Sequence, residues 1–198
     1  MGVYPAVFAK NGVTLRPLEP SDAEVMYAWH KDYILDILAA WGRTKSFAAF
    51  QKKLEDMLLE PPDDLVIFGI EFDGRLVGRL ELALIDFEQR RCHVGLYIGD
   101  RNVWGRGVGK TALVIAVDYA FTVLNLEKVA AEVYDFNTRS QRLMESAGFV
   151  REGVLRAHEI HNGARRDMHA YGILRDEFYQ RYETLFAIPE GSLDGRCQ

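Results

Sequence analysis

Apolar and polar positions along this chain recur in patterns that predict its elements in order. Val13 and Leu15 alternate with Thr14 and Arg16, and Pro17 follows, the pattern of an edge strand closed by proline. Pro20-Ser21 opens a helix, where Ser21 with Glu24 three residues on has the spacing of a capping box. Phe47, Phe50, Leu54, Met57 and Leu58 form one stripe at helical spacing, and Glu60-Pro61-Pro62 ends that helix. From residue 65 the period drops to two. Residues 65–72 and 75–85 read as strands joined by Asp73-Gly74, a strong two-residue hairpin signal, with a third strand over 91–99. Residues 107–124 are apolar on most faces, as a helix packed on a sheet with little solvent exposure is. There follow a buried strand over 129–134 and a helix over 138–147 capped by a left-handed Gly148. Strands over 149–160 and 166–174, around Asn162-Gly163, form a closing hairpin. Phe178, Tyr182, Leu185 and Phe186 then predict the apolar face of one last helix before a polar tail.

This order describes an α/β protein: a mixed, largely antiparallel sheet flanked by helices, in which the helix over 107–124 is the crossover. A chain of 198 residues builds one sizeable core, so a single domain is expected over 13–175, after a lead-in over 1–12 and before a C-terminal helix and polar tail over 176–198. The formal net charge of -5 provides no basic footprint for nucleic acid and mildly favours a cationic substrate. Cys92 and Cys197 make neither a disulfide framework nor a CxxC metal pattern, so a reducing, cytoplasmic setting without a metal is expected. No apolar run approaches the roughly 18 residues of a membrane span, and Ala6 stands where a myristoylation motif needs Ser or Thr; no membrane partner is expected.

The densest chemistry lies in Trp104-Gly105-Arg106-Gly107-Val108-Gly109-Lys110-Thr111, between a strand and a helix. Free backbone amides and the positive end of the helix dipole make an anion site there, and glycines let phosphate oxygens reach the main chain. A nucleotide P-loop needs glycine where Trp104 stands, and Lys110 occupies the last glycine position of a dinucleotide fingerprint, so both readings fail on spacing.

Trp104-x-x-Gly107-x-Gly109 resembles the acetyl-CoA pyrophosphate loop of the GNAT superfamily of N-acetyltransferases, with Trp104 in place of the usual Gln or Arg. Asn137-x-x-Ser140, Glu145-x-x-Gly148-Phe149 and Glu152-Gly153 resemble the second half of that family's cofactor site. The likeness runs over residues 13–174 and is nearest the ribosomal-protein N-terminal and spermidine acetyltransferase branches. It implies acetyl transfer to a primary amine by direct attack in a ternary complex, the acceptor being a protein N-terminal α-amine, a polyamine or another small amine. The implied cofactor site comprises Trp104, Gly105, Arg106, Gly107, Val108, Gly109, Lys110, Asn137 and Ser140, with backbone groups of Leu96, Tyr97 and Ile98 at a splayed strand holding the pantetheine. Homodimers are common among such enzymes. A coenzyme A-binding module without turnover is the alternative, because Met144 stands where many relatives carry an acidic tyrosine.

Amines with reference pKa values of about 8 to 10.4 must lose a proton before they attack, so a base is useful. Glu81, in an apolar strand, is the candidate; Arg79 on the same face makes a structural ion pair the alternative. For the departing thiolate, Ser140 is the candidate hydroxyl, with helix capping as its alternative role and Tyr134 as a weaker substitute. His93, Trp29, Tyr33, Trp41, Asp32 and Asp36 are candidates for the acceptor wall, each with an ordinary structural explanation.

Overall fold

The computed structural model describes residues 8–39 and 46–186; Trp41, Cys197 and the side chain of Asp36 lie outside the described residues. Eight strands form one sheet in the order β1-β2-β3-β4-β5-β6-β8-β7. They are β1 (Phe8–Lys10), β2 (Val13–Arg16), β3 (Val66–Phe72), β4 (Arg75–Asp86), β5 (Arg91–Ile98), β6 (Lys128–Tyr134), β7 (Val150–His161) and β8 (Ala164–Leu174). All neighbours are antiparallel except β5 and β6, and the crossover between those two is α4 (Val108–Thr122). A parallel pair needs such a connection, whereas Asp73-Gly74 and Asn162-Gly163 close their hairpins with both residues at positive φ.

α4 is buried nearly all round, as its composition predicts, because it lies on the sheet beneath α5 (Thr138–Ala147) and the C-terminal segment. Leu113, Ile115, Ala116 and Phe121 meet Leu15, Ile70, Leu80, Leu82, Cys92 and Val129 in the main core. The other face of the sheet carries α1 (Ala23–Trp29), α2 (Tyr33–Ala39) and α3 (Phe47–Leu59), which pack Met26, Trp29, Leu35 and Leu54 against Leu18, Ile67, Leu76 and Tyr97. Alternation along β5 separates the two: Cys92, Val94, Leu96 and Ile98 face α4, while Tyr97 faces α1.

Four local features differ from the sequence pattern. Asn11-Gly12, both at positive φ, turns the lead-in back as β1, whose Phe8 packs on Phe68 and Tyr119. The first helix divides into α1 and α2, because the Asp32 carboxylate accepts the Ile34 and Leu35 amides and starts a new helix. The capping contact at Pro20 belongs to Asp22, which takes the Glu19 amide at 2.8 Å, instead of to Ser21 and Glu24. Finally, α6 (Arg175–Tyr179) is one short turn holding only Phe178 of the predicted stripe. The chain then runs back over α4, where buried Asp118 accepts the Tyr179 hydroxyl at 2.9 Å and the Leu185 amide at 2.6 Å. Satisfying that carboxylate outweighs continuing the helix.

Candidate active site

β5 and β6 pair only at Arg91–Lys128, Cys92–Val129 and His93–Ala130, although both strands run on for several residues. Beyond that point they diverge, and from Val94 to Ile98 one edge of β5 has no ladder partner. A cavity of about 390 Å³ opens at the gap. Its walls are Leu96, Tyr97 and Ile98 of β5, the turn before α4, the start of α5 with Asn137, Arg139, Ser140 and Leu143, and Leu35 and Leu38 of α2. Period-two alternation carries no information about where a ladder stops; the splay is implied by the family resemblance alone, and the pairing places it after His93–Ala130.

The glycine-rich turn sits at the mouth. Gly107 is the N-cap of α4 at φ +82, and no atom lies within 4 Å of where its Cβ would be. Its carbonyl accepts the Thr111 amide at 3.0 Å, which leaves the amides of Val108, Gly109 and Lys110 ahead of the first intrahelical bond; all three residues line the cavity, the makings of an anion cradle. Trp104 donates its indole Nε1–H to the Ile98 carbonyl at 2.9 Å, completing the end of β5. That contact needs an N–H donor, which the Gln or Arg of the family pattern would also supply.

At the opposite wall, Asn137 caps α5 by accepting the Ser140 amide at 3.1 Å. The cap is therefore Asn137, and the Ser140 hydroxyl makes no hydrogen bond to another described residue while it lines the cavity. Met144 is buried in the main core and presents nothing to the cleft.

Of the twelve proposed cofactor residues, all but Arg106 line the cavity. Arg106 is turned outward to Asp73 at 3.6 Å and lies over the Phe72 ring. Glu81 is absent from the lining: its side chain is on the α1–α3 face, hydrogen-bonded by Arg79 and laid along Gly95, where an added Cβ would be 3.2 Å from Glu81 Oε1. Tyr97 stands beside that pair, and burial holds its phenol well above its ordinary pKa, with Arg79 opposing and Glu81 reinforcing the shift. Trp29 packs edge-on against Tyr97 and fills the space left by Gly99. Tyr33 is 71% exposed, and Asp32 is paired with Arg101 at 3.3 Å. Tyr134 lies outside the cavity lining, stacked on Phe136 and donating its hydroxyl to Glu159; burial and that carboxylate push its pKa up to about 12.

The model of the family described as the acetyltransferase (GNAT) domain matches residues 13–150. The chain belongs to this family. Among GNAT relatives, an uncharacterized N-acetyltransferase p20 of Bacillus licheniformis is 29% identical over 170 residues, 84% of this chain and 94% of the relative. A spermidine N(1)-acetyltransferase of Escherichia coli K12 is 29% identical over 176 residues, 88% and 92% of the two chains. The structure of a Vibrio cholerae spermidine N-acetyltransferase in complex with CoA and spermine superposes with a TM-score of 0.78 at 26% identity, covering 86% of this chain and 99% of that one.

As a GNAT enzyme the chain is an acetyl-CoA-dependent N-acetyltransferase, and its residues fit that thioester. A largely apolar slot bounded by an unpaired strand edge suits a pantetheine arm, and the amide cradle at its mouth suits a pyrophosphate. Among the described residues, no group of three or more His, Cys, Asp or Glu could hold a metal ion.

Proposed function

We propose that acetyl-CoA occupies the β5–β6 gap from the α4–α5 side and that a primary amine enters the same gap from the α1–α3 side. The observation that supports this is the termination of the β5–β6 ladder at His93–Ala130, which makes an opening bordered by residues of both faces. Acetyl-CoA, when bound, supplies the thioester carbonyl that the amine attacks. Amides of the turn over 104–110 and the start of α5 hold its phosphates, while backbone groups of Leu96, Tyr97 and Ile98 position the arm. Glu81 takes the proton of the amine, directly or through water, its side chain being 37% exposed on the acceptor face. Ser140 offers its free hydroxyl to the departing sulfur.

The acceptor class is a primary amine, with spermidine, spermine, an N-terminal peptide and other small amines as the members to be compared. Glu81 and Asp32 on the acceptor side each have an arginine partner, so neither stands as an uncompensated negative charge. A cytoplasmic setting and a homodimer belong to the same proposal; exposed Val150, Val154 and Ile160 on edge strand β7 support self-association, which light scattering after size exclusion measures. Thiol release from acetyl-CoA against that amine panel tests the whole reading. Acceptor-dependent release identifies the substrate branch; tight binding of acetyl-CoA with no release on any amine would overturn the catalytic assignment.

A further inference from the structure

We infer that Asp32 and Arg101 are a positioning pair that holds α2, an element of the acceptor face, as a wall of the cofactor cavity, an inference that rests on the placement of acetyl-CoA in the β5–β6 gap.

Among the described residues, α2 is the only helix of the α1–α3 layer that lines the cavity, through Leu35 and Leu38. Little apolar packing keeps it there. Of its described side chains only Leu35 is buried, while Tyr33 and Ile34 are exposed. A helix of seven residues is too short to persist in water by itself, so its place depends on what it is fastened to.

Asp32 supplies both the start and the fastening. Its Oδ1 accepts the Ile34 amide at 2.9 Å and the Leu35 amide at 3.4 Å, and its Oδ2 lies 3.3 Å from Arg101 Nη1. One carboxylate thus joins the cap of α2 to a cation 69 residues away in the chain. Arg101 is rooted in turn on the sheet. The amides of Gly99 and Asp100 both donate to the Val77 carbonyl, at 2.8 and 3.0 Å, which ties this segment to β4. The Arg101 carbonyl accepts the Trp104 amide at 3.2 Å, and the guanidinium carbon lies 5.4 Å from the Trp104 ring centroid. The pair therefore sets α2 against the residue that opens the glycine-rich turn. A surface ion pair without consequence for the cofactor is the ordinary alternative, because the Arg101 side chain is 51% exposed and such pairs add little to stability. The difference between the two lies in what happens to the wall that α2 carries.

Titration calorimetry of the full chain with acetyl-CoA separates them. Asp32→Asn keeps an oxygen for the cap and removes the charge, and Arg101→Met keeps an aliphatic stem. Each should weaken acetyl-CoA about two- to fivefold at low salt, and the double variant should lose no more than the larger single loss. In about 1 M salt, which screens an exposed pair, the difference from the unmodified chain should shrink below about twofold. Arg101→Lys should recover most of the affinity, because an ammonium can also make this single contact. Leu38→Ala should weaken acetyl-CoA about threefold or more in the unmodified chain and add almost nothing in the Asp32→Asn background, where the wall is already displaced. Unchanged affinity in both single variants, losses that add in the double variant, or an equal Leu38→Ala loss in both backgrounds would overturn the inference. Gly109→Leu, which drives a side chain toward Leu96, Ile98 and Leu143, should abolish binding. Unchanged binding in that variant, with an unchanged melting temperature, would instead sink the placement of the cofactor.

Discussion

The two faces of the sheet are held by different forces. On the α4 face, aliphatic and aromatic side chains from six strands close around a helix that exposes almost nothing, and Asp118, the buried charge within that helix, has its acceptors filled by the C-terminal segment. On the α1–α3 face the apolar cluster is small, and an ionic group supplements it: Arg16 of β2 forks onto Asp22 at 2.7 and 2.8 Å and also binds Glu71 of β3 at 2.8 Å. The cofactor face is therefore a rigid platform that presents backbone groups, whereas the acceptor face is a smaller, charge-fastened layer. An enzyme that keeps one cosubstrate and varies the other gains from this division, since the variable wall can change without disturbing the constant one.

The sharpest way to break the comparison is to damage the platform at a point where the fold does not depend on it. Gly107→Val keeps the protein free of clashes, because open space surrounds the new side chain, but it strains a left-handed residue and obstructs the amide cradle. Acetyl-CoA affinity should fall at least about a hundredfold, while the loss of stability stays at about 1–3 kcal/mol. Calorimetric titration beside a thermal melt checks both, and a binding loss no larger than the stability loss would place the cradle elsewhere.

Next in size is the acceptor-side base. Glu81→Gln should lower kcat about a hundredfold with acetyl-CoA affinity unchanged, whereas Arg79→Met, which removes the partner and retains the carboxylate, should leave kcat within about tenfold. Equal effects of the two substitutions on kcat, matched by equal losses of stability, would reduce Glu81 to a structural ion pair.

What could be read from the sequence follows the same division. The hairpin turns, the buried crossover helix, the left-handed Gly148 cap and the anion cradle depend on residues close together in the chain, where turn chemistry and periodicity apply. The splay, the stacking of Arg139 on Trp104, the start of α2 at Asp32 and the return of residues 180–186 over Asp118 each join distant segments. Arg139 left one local signal, its place within Asn137-x-x-Ser140 at the start of a helix, but its counterpart is 35 residues away. Leu35 and Leu38 gave none, since an apolar residue in a short helix is indistinguishable from core.

Acid should separate the two faces. Burial alone would raise the pKa of Asp22, but the Arg16 hydrogen bonds, the Glu19 amide and the Arg16 charge together hold it below its ordinary value. A depressed folded pKa means that the stabilisation is complete above the unfolded pKa of about 3.9 and is lost as pH falls through the lower folded value. Asp22→Asn should cost about 2 kcal/mol at pH 7, and the difference from the unmodified chain should shrink as pH falls below about 4. Urea titrations at the two pH values measure it. A difference that persists undiminished in acid would assign the cost to shape instead of charge.

The smallest effect is expected at Cys92, on the platform side. The thiol is fully buried among apolar neighbours, and burial pushes its pKa up to about 12. Here the sign is reversed: the neutral form is favoured by folding, so its contribution is intact below the unfolded pKa of about 8.5, declines as pH rises above that value and is lost once pH passes the folded value of about 12. Between pH 7 and 9 the folded chain should therefore hold almost no thiolate at this position, and thiolate is the reactive species. In a Cys197→Ser background, a thiol reagent at pH 8 should label Cys92 only at the rate of global unfolding, and acetyl-CoA should slow that labelling in proportion to its occupancy. Labelling faster than unfolding would show that the platform opens locally beneath the cofactor cleft, and the contrast between a rigid and an adaptable face would then fail on the side taken to be rigid.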